Sequence, residues 1–390
     1  METYQNNYIR NLNSRLLLEH LIRLGPISRA ALARQTGLTK ATVSAIVAEL
    51  ISAGFAAELG SGDAELGRKP ILLGFCRRAG FAVSIDLGPD YIRALAADLL
   101  GDVLLFKQQL TPGTSELIAV LAGLIASMQT AVSAMLPEQA HGLCGIALGI
   151  HGVVYDSQIT FAPHYRIEQL PLAAELGQRF RVPVFAENEA NLAVVGEASF
   201  LPPGCRSIVD VSIHSGVGLG LLLDGSLFTG SSGRAGEFGH TILMPGGRPC
   251  ACGRQGCLEQ YLSEKTLTAD YAALTGRPGA DYAQLANGIR AQEKEAADAV
   301  GTYLFYLSLC INNLVQAYDP ELIFISDRLL SDFPELLPDL LAQCGHVPAS
   351  RLRLSALGRN ASLYGGIHRC VREFLGIRTL AFSGPPEIPF

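Results

Sequence analysis

With 390 residues, 49% of them hydrophobic, and a mean hydropathy of +0.27, the chain can build two or three domains with substantial cores, which excludes a disordered polymer. No apolar run is expected to reach a membrane span, and the opening METYQNNYIRNLNSR lacks the apolar stretch of a secretion signal, so a cytoplasmic protein with no membrane partner is expected. The formal charge of −6 is unevenly placed: residues 1–75 hold eight Lys/Arg against six Asp/Glu, a net of +2, leaving −8 on the other 315, which suits a small nucleic-acid reader on an acidic body.

Taken in chain order, Leu16, Leu17, Leu21 and Ile22 predict a first helix that stops at Gly25-Pro26. Ser28 is positioned to cap a second helix over Arg29–Thr36, and Gly37 supplies its left-handed stop. Thr39 then caps a third helix, in which Val43, Ile46, Val47, Leu50 and Ile51 recur at helical spacing. This is helix-turn-helix spacing. With the apolar stripe turned inward, Thr39, Lys40, Thr42 and Ser44 lie at the N-terminal end of the outer face, where such a helix meets bases and phosphates in a major groove; Arg29, at the start of the second helix, joins them as a DNA-binding candidate. The following FAAELGSGDAELGRKPILLGF predicts two short strands around a polar tip with Gly67, Arg68, Lys69 and Pro70, a wing whose Arg68 and Lys69 suit a narrow minor groove. A protein-interaction module with a solvated hairpin is the alternative.

Beyond Cys76 strand and helix signals alternate, as in an α/β protein. GFAVSIDLG, YIRALAAD and GDVLLF read as consecutive strands, ELIAVLAGLIASMQTAVSAM as a long helix, and LCGIALGI and VPVFAEN as further strands, with a helix expected from near Asn191. SIVDVSIHSGVGLGLLLDGSLFTG opens a second unit of the same kind and ELIFISD closes it. Two similar α/β units predict a duplicated architecture with a cleft. The expected domains are 1–76, the winged helix-turn-helix; 77–192 with a C-terminal helix at about 366–390, the first lobe; and 193–365, the second lobe.

Between the second unit's glycine-rich strands and its helices, HTILMPGGRPCACGRQGC spaces His240, Cys250, Cys252 and Cys257 as H-x9-C-x-C-x4-C. Imidazole and thiolate are the ligands of tetrahedral zinc, and four of them make a closed structural site. Such a metal would hold Glu237 and Glu259, which flank the run, in a fixed relation. The alternative is a turn of buried thiols. The other six of the nine cysteines are scattered, unlike a disulfide framework.

Five stretches carry a family resemblance: DLG at 86–88, ENEAN at 187–191, HSGVGLG at 214–220, GRAGEFGH at 233–240 and CACGRQGCLE at 250–259. On these, residues 78–370 resemble the ROK family of sugar kinases and sugar-responsive repressors, whose fold is a two-lobed actin-like, hexokinase-like pair. ENEAN and the opening NNYIRNLNSRLLLEHL are similar to the family's xylose-repressor branch. The resemblance implies that Asn188, Glu189, Glu237, His240 and Glu259 hold sugar hydroxyls, as carboxylates and an amide do well. It implies a DNA-binding regulator, a repressor of a carbohydrate-utilisation operon released by a neutral monosaccharide, xylose first and glucose second, acting as a homodimer or a tetramer on operator DNA. The alternatives are a sugar kinase and a DNA-bound structural protein without inducer. Against the kinase, Glu189 stands where the kinase base is Asp, Pro89 and Asp90 occupy the first phosphate loop, and ISDRLL at 325–330 replaces a glycine-rich nucleotide loop, so no catalytic residue is assigned.

Overall fold

The computed structural model describes residues 2–61, 69–162, 167, 168, 170–202, 204–382 and 384, with the side chains of 2–9 and 61 left aside. It divides into two compact units: Met1–Leu148, Tyr165–Ala186 and Gly366–Phe390 form one, and Gly149–His164 with Glu187–Gly365 the other.

The first unit opens with α1 (Glu2–Leu24), a two-residue strand β1 (Ile27–Ser28), α2 (Arg29–Thr36) and α3 (Lys40–Ser52). Ser28 leaves its backbone extended and accepts from the Ala31 amide, which starts α2; Gly37 ends it at φ +71°. Thr39 does the same for α3 by accepting from the Thr42 amide at 3.2 Å. Val43, Ile46, Val47 and Leu50 are buried along one face of α3, while Lys40 and Ser44 are exposed on the other. Each fully buried aliphatic side chain contributes roughly 1.5–3 kcal/mol, and Leu17, Leu21 and Leu32 of α1 and α2 complete this small core. The wing is β2 (Ala56–Ser61) and β3 (Ile71–Phe75), antiparallel, and β1 adds a third strand on the outer side of β3. The expected tip, with Gly67 and Arg68, lies outside the described residues.

The rest of this unit is built on a five-stranded sheet in the order β10-β7-β4-β5-β6, with β4 Gly80–Leu87, β5 Tyr91–Asp98, β6 Val103–Leu110, β7 Gly142–Ile150 and β10 Val184–Asn188. Every residue of β4 is buried, as befits a strand covered on both faces. The helices α4 (Leu117–Met135) and α5 (Leu172–Phe180) belong here, and a small hairpin of β8 (Val153–Tyr155) and β9 (Gln158–Phe161) opens the other unit. Contrary to expectation, the run Thr114–Met135 is long and apolar enough to cross a membrane. Its Leu117, Leu121, Ile125, Met128 and Val132, three or four residues apart, are buried in the protein, so this is the apolar stripe of a core helix.

The second unit centres on a sheet in the order β13-β12-β11-β14-β15, where β11 is Ile208–Ile213, β12 Val217–Leu223, β13 Ser226–Leu227, β14 Leu322–Asp327 and β15 Leu352–Leu354. The helix before it, α6 (Glu189–Ser199), begins two residues earlier than expected because the Asn188 side chain caps it by accepting from the Asn191 amide. Alternation along β11 sorts its side chains: Val209, Val211 and Ile213 enter the large core formed with α7 (Glu264–Thr275), α8 (Tyr282–Arg290), α9 (Lys294–Tyr318), α10 (Arg328–Asp332) and α11 (Leu337–Gln343). Ile208 packs instead with Val194 of α6, and Asp210 and Ser212 share that face. A last helix, α12, covers Ala361–Leu375.

Candidate functional site

The HSGVGLG turn between β11 and β12 seats α6. A Cβ on Gly220 would come within 2.2 Å of the Ala190 carbonyl oxygen and 2.7 Å of Val194, so only glycine lets the helix lie this close to the strand. That seating carries the end of β10 and the start of α6, where Asn188 and Glu189 stand. Asn188 uses both ends of its carboxamide on the backbone: Oδ1 caps α6 and Nδ2 donates to the Gly152 carbonyl at 2.8 Å. Glu187 accepts from the Asn188 amide and from Asn191 Nδ2, which stiffens the same corner. The Glu189 carboxylate lies over Gly218, 3.9 Å from its Cβ position, and Glu259 Oε2 lies 3.3 Å from that of Gly216. Both acids therefore line one turn, although 70 residues separate them in sequence.

A single 3-10 turn, Glu237–His240, and the loop after it build the other half of the site. Gly236, at φ +93°, approaches the Leu219 carbonyl so closely that a Cβ would stand 2.2 Å from it. The loop doubles back on bridges between Ile242 and Cys257 and between Pro249 and Gln255, with Gly253 and Gly256 at positive φ. Arg248 braces it by donating to the Gln260 carbonyl and to Asp270, its guanidinium 4.9 Å from the Tyr261 ring centre.

The loop gathers His240, Cys250, Cys252 and Cys257 so that one ligand atom from each lies within 4.8 Å of the others. Cys252 Sγ and Cys257 Sγ are 3.6 Å apart, as are Cys250 Sγ and His240 Nδ1. Tetrahedral coordination with metal–sulfur bonds near 2.3 Å requires an edge of about 3.8 Å, so the donor set fits a four-coordinate metal ion. The Arg254 guanidinium pulls the Cys252 thiol down to about 6, whereas burial pushes Cys250 up to about 12. His240 turns Nδ1 to the sulfurs and Nε2 towards Glu237 Oε2 at 3.9 Å, and Glu259 Oε1 lies 3.5 Å from Nδ1 and accepts from Cys250 and Gln260. Glu237 and Glu259 thus flank the cluster, and Glu259 links it to the turn near which Glu189 lies.

At the β4–β5 end, where the ROK resemblance expects the first phosphate loop, side chains pair with one another. Asp86 and Arg93 face each other across the β4–β5 ladder and form an ion pair, with the Asp86 side chain 3% and the Arg93 side chain 16% exposed. At the end of β14, Asp327 accepts from the Leu330 amide at 2.8 Å and from the Tyr303 hydroxyl at 2.5 Å, and Arg328 and Arg359 both donate to Glu264. Side chains, not open glycine backbone, fill the end of β14.

In the winged helix-turn-helix, Thr39, Lys40 and Ser44 are exposed and Thr42 is half-buried. Thr39 and Thr42 share a hydroxyl hydrogen bond at 2.8 Å as part of the α3 cap, and Arg29 is held by Glu58 of the wing at 2.8 Å. Lys69 is exposed, and Arg68 lies outside the described residues. Sequence reasoning missed Gly152 and Arg93, whose partners Asn188 and Asp86 are met through the fold, and also Glu187 and Arg254, whose partners Asn188, Asn191 and Cys252 lie within four residues but give no pattern that marks the pairing.

Comparison with known proteins places this architecture. The profile of the ROK family matches residues 82–367, and a winged helix-turn-helix DNA-binding profile matches residues 10–55. A xylose repressor of Bacillus subtilis (strain 168) is 30% identical over 390 residues, covering 97% of this chain and 100% of that protein. A solved ROK family transcriptional regulator, described as a homologue of the E. coli MLC protein, superposes with a TM-score of 0.78 at 24% identity over 94% of this chain and 98% of its own. A ROK family glucokinase from Streptomyces griseus, solved with glucose and AMPPNP, gives 0.63 at 25% identity over 74% of this chain and 99% of its own. The kinase leaves about a quarter of this chain uncovered, whereas the regulator spans nearly all of it.

Proposed function

The chain belongs to the ROK family, and from that membership we propose that it is a sugar-responsive transcriptional repressor and not an enzyme. One observation carries the choice between the family's two activities: Asp86, at the head of the kinases' first phosphate loop, is ion-paired with Arg93 beside Pro89 and Asp90. A guanidinium there satisfies the carboxylate, and a proline and an aspartate offer a phosphate one amide fewer and a like charge. The winged helix supports DNA as the partner, with Lys40, Thr42 and Ser44 as the readers and Thr39, Arg29, Lys69 and Arg68 contributing contacts to the backbone and minor groove.

Asn188, Glu189, Glu237, His240 and Glu259 hold the hydroxyls of a neutral monosaccharide, xylose first and glucose second. Support comes from the carboxylates of Glu189 and Glu259 near one turn and from Glu237 and Glu259 beside His240. The metal is zinc, bound by His240, Cys250, Cys252 and Cys257; it stiffens the loop that carries Glu237 and Glu259. Two copies bind a palindromic operator in the cytoplasm, and sugar favours a form whose heads no longer match the half-sites. Reversing a 99:1 population takes roughly 5.5 kcal/mol of differential affinity.

The test is calorimetric titration of the metal-loaded protein with a monosaccharide panel, alone and with its own upstream promoter fragment, beside a coupled ATP-dependent kinase assay. Promoter binding weakened by a neutral sugar, with no ATP turnover, is expected. Turnover on any sugar, or indifference to duplex DNA, overturns the reading.

A further inference from the structure

The recognition helix is anchored to the body of its own unit at one end. The end of α3 is a Schellman turn: the Phe55 amide donates to the Leu50 carbonyl and the Gly54 amide to that of Ile51, with Gly54 at φ +78°. Such a turn leaves the Ala53 carbonyl without a partner inside the helix. His141, at the start of the segment leading into β7, supplies it: Nε2 lies 2.8 Å from Ala53 O, and since a carbonyl only accepts, Nε2 donates. The His141 ring also stacks on Phe55, centroids 4.4 Å apart and planes 16° from parallel. Phe374, at the end of α12, closes the group edge-on at 5.3 Å from His141 and 5.8 Å from Phe55. Beside it, a Cβ on Gly54 would stand 2.7 Å from Ala140.

A second tie lies on α1, where Glu19 Oε1 accepts from the Arg378 amide at 2.5 Å and the Thr379 amide at 3.3 Å. None of these contacts touches Lys40, Thr42 or Ser44, which lie in the N-terminal part of a 13-residue helix, about 13 to 20 Å along its axis from Ala53. That length gives leverage. A tilt of about 10° at the anchored end displaces Ser44 by about 2.3 Å and Lys40 by about 3.5 Å, the latter one base-pair step.

We propose that His141 is a positioning residue for DNA recognition: by capping the Ala53 carbonyl and, with Phe374, gripping Phe55, it sets the direction in which α3 presents Lys40, Thr42 and Ser44 to the operator. The proposal rests on the repressor reading, because it needs α3 to read bases.

The experiment uses the full-length, metal-loaded protein and compares affinity for its own upstream promoter fragment with affinity for a scrambled duplex of equal length. Hydrogen exchange at the Gly54 and Phe55 amides is followed in parallel. His141→Leu removes both donor and ring and is expected to weaken promoter binding about tenfold while leaving scrambled-duplex binding unchanged. His141→Gln, which restores a donor, recovers part of the loss, and Phe374→Leu lowers the promoter-to-scrambled ratio by a smaller factor. A merely structural role would lower the melting temperature without changing that ratio in the folded molecules. An unchanged ratio in both His141→Leu and Phe374→Leu overturns the proposal, and Phe374→Leu decides alone if His141→Leu does not fold. A wild-type protein with no preference for the promoter would instead sink the repressor reading.

Discussion

His240 Nδ1 and Cys250 Sγ lie 3.6 Å apart, while the opposite ring nitrogen of His240 is turned to Glu237. One imidazole therefore belongs at once to the four-residue His/Cys cluster and to the acids beside it. Cys252→Ser is expected to abolish stoichiometric metal, as measured by native mass spectrometry, and to weaken sugar affinity and operator binding together. A metal-free variant with normal induction would separate the cluster from the response.

The Asp86–Arg93 pair gives a prediction about stability. Arg93→Ala leaves a nearly buried carboxylate without its cation and is expected to cost about 3–5 kcal/mol in chemical denaturation. It should restore no kinase activity, because Pro89 and Asp90 remain. Neutral behaviour of Arg93→Ala would mean that the pair is not what occupies the loop.

Lys69 and Ser44 should fail differently. Lys69→Ala is expected to weaken binding to promoter and scrambled DNA alike and to lower the salt slope by about one unit. Ser44→Ala is expected to cost about 1–3 kcal/mol on the promoter only and to relax preference at one base pair. Mobility-shift titrations at several salt concentrations distinguish the two.

Glu197, on the sheet-facing side of α6, accepts from the Ser355 hydroxyl, and burial pushes its carboxyl from 4.5 up to about 7. Between those values the unfolded chain has ionised while the folded one keeps its proton, so this group's contribution falls as pH rises and is lost above about 7. Asp210, shifted upward by burial and by Glu197, adds to the same trend. Glu197→Gln keeps an acceptor for Ser355 and removes this carboxyl's share of the slope, leaving that of Asp210. Its stability should exceed wild type on the order of 3 kcal/mol at pH 8 and match it near pH 4, read from denaturant melts. An equal pH slope in both proteins would refute this origin.

What the sequence could reveal followed the range of the interactions. Ser28 and Thr39 accept from amides three residues ahead and Gly37 donates to a carbonyl four residues back, so α2 and α3 were legible, as was the His240–Cys257 cluster, whose ligands fall within one loop. The early part of α1 was missed because QNNYIRNLNSR has no sustained apolar periodicity, and β1 because two residues carry no alternation. The α6 boundary was displaced because the Asn188 cap was not recognised as such. Arg93, Gly152 and His141 were invisible as partners: they meet Asp86, Asn188 and Ala53 through strand register or across 36 and 88 residues.

The glycines of HSGVGLG have a lesson beyond this chain. Gly220 is there because Ala190 and Val194 leave no room for a methyl group, a demand made by helix seating and indifferent to any nucleotide. The spelling of this segment is therefore no signature of a nucleotide site. Wherever a helix lies so near a strand, the residue is dictated by the room left for a methyl group, whatever chemistry the protein performs.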